Sequence, residues 1–198
     1  MTIWTCKGPL AAFGVMLLTA CEGGQGLGAS SGAAKPPLSR AKMAGGVELV
    51  APDGFCIDQT SLEARFAVIA RCDGLGAPAS AGAAPRGLIT VSLTQSKPGS
   101  LPSAQQIAAE TSLQNVRDVE KGDQSVTFRA QGRIPVGGLS PNQWRGVARM
   151  GTQTAGIAVY GPERGEIVSA SGRRVLTQLI TRSIDASAPA KTTVAQRN

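Results

Sequence analysis

The stretch Leu88–Thr94 reads LITVSLT, and a little further on Ser103–Thr111 reads SAQQIAAET. These two segments decide the fold class. The first alternates apolar and hydroxyl residues and is rich in β-branched side chains, the pattern of a half-buried strand. In the second, Ser103 stands three residues before Gln106, as in a capping box. Ala104, Ile107, Ala108 and Thr111 then recur at helical spacing. The hydrophobic period therefore changes from strand to helix within one short piece of chain.

Working outward, Val47–Val50 and Phe55–Ile57 read as extended, separated by a turn at Pro52-Asp53-Gly54. Phe66–Ala70 (FAVIA) is a further short apolar run. Beyond the helix, Glu120-Lys121-Gly122-Asp123 reads as a turn and Ser125–Ala130 as the next strand. Trp144–Met150 and Thr154–Tyr160 straddle Gly151-Thr152-Gln153, which predicts a hairpin. A last helix is predicted from about Ser169 to Ser183, with Val175, Leu176, Leu179 and Ile180 as its apolar stripe and Arg173 and Arg174 on its solvated face. The fold class expected is α+β: an antiparallel β-sheet packed by a central and a C-terminal helix, after a disordered tether.

That order resembles the Mog1/PsbP-like fold, which also begins with a Pro-x-Gly-aromatic strand entry and closes with a C-terminal helix. Pro52-Asp53-Gly54-Phe55 and the last helix carry the likeness. Phe55-Cys56-Ile57-Asp58 and Trp144-Arg145-Gly146 resemble segments of a Gram-negative envelope lipoprotein family, a likeness that implies no particular activity.

The N-terminal end is more specific. Met1–Pro9 carries one positive charge, Lys7, and Leu10–Leu18 is an uncharged run. Such a run is too short for a helix spanning ~30 Å of hydrocarbon, but it fits the apolar region of a signal peptide. It ends in Leu18-Thr19-Ala20-Cys21, which resembles the lipobox of bacterial lipoproteins. The resemblance implies cleavage before Cys21, a diacylglycerol on its thiol and a further acyl chain such as palmitate on the new amino group. Two or more chains are needed for firm anchoring, because each buried CH₂ contributes only ~0.8 kcal/mol. Glu22 rather than Asp follows the cysteine, so family sorting rules favour the outer membrane over the inner. The expected organisation is a signal peptide at 1–20, the lipidated cysteine and a Gly/Ala/Ser-rich tether at 21–46, one globular domain at 47–185 and a disordered tail at 186–198.

The chain has 198 residues and a net charge of +7. One unit of that charge lies in the leader, two in the tether and two in the tail, which leaves +2 dispersed over the domain. With aromatics at 4%, neither a phosphate-tracking patch nor a base-stacking platform is expected, so nucleic acid is not an expected partner. The membrane, through the anchor, and an envelope protein are the partners expected instead.

Cys6 departs with the leader and Cys21 is acylated. This leaves Cys56 and Cys72 as an even pair in an oxidising compartment. A disulfide is expected between the Phe55 strand and the end of the Phe66 strand. The spacing is far wider than the Cys-x-x-Cys of redox couples.

Histidine is absent, which removes Ser-His-Asp and Cys-His catalysis and most zinc sites. No Gly-rich loop precedes Lys-Ser/Thr, and no Asp-Lys-Thr-Gly occurs, so P-loop and phospho-aspartyl ATPase chemistry are excluded. No cofactor or metal is expected. Gly28-Ala29-Ser30-Ser31-Gly32 and Ser39-Arg40-Ala41-Lys42 match nucleophile patterns, but both lie in the expected tether, without a packed wall to activate them. Asp53, Asp58 and Glu63 are near in sequence and would serve as acid and base only if one were buried. Asp73–Gly87 is a Gly/Ala/Pro loop that reads as an insertion ahead of a binding loop. Trp144 and Tyr160 read as core or sheet-face residues ahead of a ligand cage, and the test of a ligand site is whether a concavity gathers Asp58, Arg145 and Tyr160. The function expected is a lipid-anchored, non-catalytic interaction or assembly module. A small-ligand-binding lipoprotein is the first alternative, and a carboxylate-dependent envelope hydrolase the second.

Overall fold

A computed structural model describes residues 35–78 and 84–188. The leader, Cys21 and the proposed lipidation lie outside the described residues, as do the Gly28–Gly32 pattern and the last ten positions.

Nine strands and two α-helices are described. The chain runs β1 (Arg40–Lys42), β2 (Glu48–Val50), β3 (Phe55–Ile57), β4 (Phe66–Arg71), β5 (Leu88–Gln95), α1 (Ala104–Glu110), β6 (Gln114–Lys121), β7 (Ser125–Gln131), β8 (Asn142–Met150), β9 (Gln153–Tyr160) and α2 (Ala170–Ser187). Strands β3 to β9 form one antiparallel sheet in the order β3-β4-β5-β9-β8-β7-β6, and β1 pairs with β2 in a small ribbon. This is the expected α+β class, with a central helix and a C-terminal helix on an antiparallel sheet.

The strand LITVSLT sits next to the centre of that sheet. Ile89, Val91 and Leu93 point to one face and are buried, while Thr90, Ser92 and Thr94 point to the other. Every residue of β5 pairs with β9, from Leu88 opposite Tyr160 to Gln95 opposite Gln153. Strands β8 and β9 make the expected hairpin. Met150 faces Gln153 across a two-residue loop in which Gly151 takes φ 58°.

Helix α2 closes the first face. Leu176, Leu179 and Ile180 join Ile69, Ile89, Val91, Ile157 and Val159 in the main core. The helix starts hard against the sheet. A Cβ on Gly172 would stand 1.7 Å from the Ile167 carbonyl oxygen and 2.5 Å from Trp144 Cδ1, so only glycine permits that approach. Trp144 is buried and its Nε1 donates to the Ser169 carbonyl at 2.7 Å, which fixes the entry to the helix.

Two expected boundaries require correction, and one strand is unanticipated. The expected tether extends through residue 46, but Arg40–Lys42 is a strand and Ala41 and Met43 are buried, so the packed domain takes in these residues as well. The reason is tertiary: β2 has little to pair with except β1, and Met43 fills the main core. Ser39 and Lys42 of the second nucleophile pattern are accordingly part of the fold. At the other end α2 continues to Ser187, two residues into the expected tail. Finally, Gln114–Lys121 forms β6, an edge strand that polar composition concealed.

Candidate binding groove on the open sheet face

The two faces of the sheet are covered unequally. Helix α1 packs on the second face toward β6 and β7, where Ala104, Ala108 and Leu113 meet Val126, Phe128 and Ala130 in a separate small core. Its N-terminus is held as the sequence predicts. Ser103 Oγ accepts from Gln106 N at 3.2 Å, and Gln106 Oε1 accepts from Ser103 N at 2.8 Å. The middle of the second face, formed by β5, β9 and β8, is left outside this cover.

Between that floor and α1 lies a groove of about 350 Å³. Its floor is a lattice of small and hydroxylic side chains. Ala158 stands between Thr90 and Arg145, Gly156 between Ser92 and Val147, and Thr154 between Thr94 and Arg149. Ile107, Glu110 and Thr111 of α1, with Pro102, form the wall. A second depression of about 560 Å³ continues from it, sharing Thr94, Pro102, Glu110 and Thr154 and adding Lys97 and Arg149. Arg149 is engaged there by the Gly99 carbonyl, which its Nη2 approaches closely.

Arg145 is the chemical centre of the groove. Its guanidinium carbon lies 5.5 Å from the centroid of the Tyr160 ring, a cation–π distance. Burial lowers its pKa from the usual arginine value, which registers a charge drawn out of water. Its Nε is buried without a hydrogen-bond partner, and among the described residues no carboxylate lies within 4.0 Å of it. The structure thus brings Arg145 and Tyr160 together. Asp58 is not with them, being held in the turn after β3, where its carboxylate accepts from Thr60 N at 2.9 Å and from Thr60 Oγ1 at 2.8 Å.

The carboxylate trio is dispersed over separate partners. Arg182 grips Asp53 through two bonds, at 2.8 and 3.0 Å, and Gln178 adds a third at 2.5 Å. These bonds lower the Asp53 pKa, and the Thr60 bonds lower that of Asp58. A general acid needs the opposite shift. Glu63 is exposed and shares no hydrogen-bond partner with either. Arg173 and Arg174 are exposed on α2, as expected of a solvated face.

Cys56 on β3 and Cys72 just after β4 form a disulfide with Cα atoms 4.8 Å apart. The start of the Asp73–Gly87 loop is a short 3-10 turn, Asp73–Leu75, where Arg71 pairs with Asp73. Among the described residues no three Cys, Asp or Glu gather as a metal site would need, and no helix is long and apolar enough to cross a membrane. The groove residues that sequence reasoning missed are Glu110 and Thr111. They read there only as the end of a helix, and nothing local announces that the helix end overhangs a sheet.

No family model matches the chain, and no curated protein sequence matches it. Solved structures of a similar arrangement exist. A single-residue mutant of protein Mog1 is 13% identical, with a TM-score of 0.46, covering 73% of this chain and 93% of its own. The Ran-binding protein Mog1p of Saccharomyces cerevisiae is 12% identical, with a TM-score of 0.46, covering 75% of this chain and 97% of its own.

Proposed function

We propose that the protein is a lipid-anchored, periplasm-facing binding module, acylated at Cys21, that holds an envelope partner against its open sheet face and performs no chemistry on it. The observation that carries this reading is the unequal covering of the sheet. Helix α2 closes one face, whereas α1 leaves the β5–β9–β8 floor of the other accessible. The lack of histidine and the separate engagement of Asp53 and Asp58 support the non-catalytic part.

Two measurements test it. Mass spectrometry of the mature protein from a bacterial envelope is expected to find acyl chains on Cys21, and an unmodified thiol there removes the anchor. A photo-crosslinker at Ser92 or Thr94, on the exposed floor, is expected to give a discrete envelope-protein adduct that the same group at Arg174 does not give. Equal labelling from both faces removes the docking role. The small-ligand alternative retains one supporting observation, since about 350 Å³ lies within the range of small-molecule sites.

A further inference from the structure

We infer that Arg145 is the receptor for a single carboxylate presented by the molecule that occupies the groove. The inference deepens the docking role proposed above and rests on it.

A guanidinium removed from water without a counter-charge is costly, and folded proteins normally pair it. Tyr160 supplies its ring face, which offsets part of that cost. The ring does not answer Nε, which is buried with no partner. The surroundings are shaped to admit one. Ala158, directly across from Arg145, is buried, but Gly156 one pair further along is partly exposed and has no side chain, so the floor opens there. An arginine fork matches the planar, two-oxygen geometry of a carboxylate.

Charge selects among oxyanions. Among the described residues, the ionisable side chains lining the groove are Arg145 and Glu110, the latter on the exposed end of α1. Arg149 and Lys97 line the neighbouring depression, and Arg149 is occupied by the Gly99 carbonyl. Among the described residues the groove is lined by one cation and has one acid on its rim, which suits a singly charged group. A phosphate dianion would meet Glu110 without a second cation beside Arg145.

The test uses the full mature chain in neutral detergent micelles, with the Arg145 Nε–Hε NMR signal assigned through R145K. The probes are sodium acetate, N-acetyl-dialanine with a free C-terminus, the same dipeptide as its amide, and inorganic phosphate. The acid probes are expected to move the signal saturably, with a Kd on the order of 1 mM. The amide is expected to leave it in place, and phosphate to bind more weakly than acetate. R145K is expected to keep the site with about tenfold weaker binding, and R145Q to lose it while keeping the thermal midpoint. No shift with either acid, an equal shift with the amide, or tighter binding of phosphate overturns the inference. Crosslinking separates the two readings. Undiminished groove adducts in R145Q overturn the carboxylate role and leave docking standing. Absence of groove adducts in the unsubstituted protein removes docking, and the acetate titration then decides the carboxylate role by itself.

Discussion

At the scale of single residues, polar side chains join parts of the chain far apart in sequence. Ser183 and Ser187 lie one helical turn apart on α2. Ser183 Oγ accepts from Val50 N at 3.0 Å, and Ser187 Oγ accepts from Glu48 N at 2.9 Å. The two hydroxyls thus satisfy backbone donors along β2 on the side that no strand covers. Ser183 is fully buried, so Ser183→Ala orphans the Val50 N–H. A loss of about 1–3 kcal/mol in urea unfolding is expected. In a sequence, two serines in a helix look like propensity defects, and nothing local indicates the strand they serve. Asp53 is the other long-range link, tying the β2–β3 turn to Arg182 and Gln178. Its pKa is lowered by those hydrogen bonds, so its stabilisation is complete above the unfolded value near 3.8 and is lost as pH falls through the folded value. Unfolding measured from pH 6 down to 2 is therefore expected to show a shallower acid limb in Asp53→Asn. The pair is exposed, so the cost at neutral pH is expected to be about 0.2–1 kcal/mol.

Elements were legible where local pattern and tertiary role coincide. Helix α1 has both a capping box and an apolar stripe, and it forms where its sequence points. Because α1 walls the groove, its cap is coupled to binding. Ser103→Ala is expected to cost about 1 kcal/mol of stability. It should also raise hydrogen exchange across Ala104–Glu110 more than in β8 or β9, and uniform exchange would place the cost elsewhere. Strand β6 shows why other elements stay hidden. Its residues QNVRDVEK carry no clean alternation, because the strand is bulged twice against β7. Asn115 and Asp118 take φ 53°, a region these two side chains tolerate better than most. With Arg117, Glu120 and Lys121 nearby, the irregular charged edge discourages pairing with another chain. Protection of that edge and legibility to period-two reading are thus in direct conflict.

At the scale of the whole molecule, one sheet carries two unequal cores, and a disulfide ties its far edge. Cys56 and Cys72 are 16 residues apart and join the edge strand β3 to the end of β4. Closing a loop of that length stabilises by ~3 kcal/mol, chiefly by restricting the unfolded chain. Replacing both cysteines by serine is expected to lower the thermal midpoint by several degrees while leaving acetate binding at the Arg145 groove unchanged, because the groove lies on β5, β9 and β8. The sequence by itself determined the α+β class, the strand pairs with clear alternation, both helices and the cysteine pairing. Each of these follows from hydrophobic period, cap chemistry or a count of thiols, which are local quantities. The tertiary structure alone decided that residues 35–46 belong to the fold, that β6 exists, and that Arg145 faces Tyr160 without an acid partner. Those facts depend on which surfaces far apart in the chain meet. A single strand's pattern records only that a side chain alternates inward or outward, never what stands opposite it.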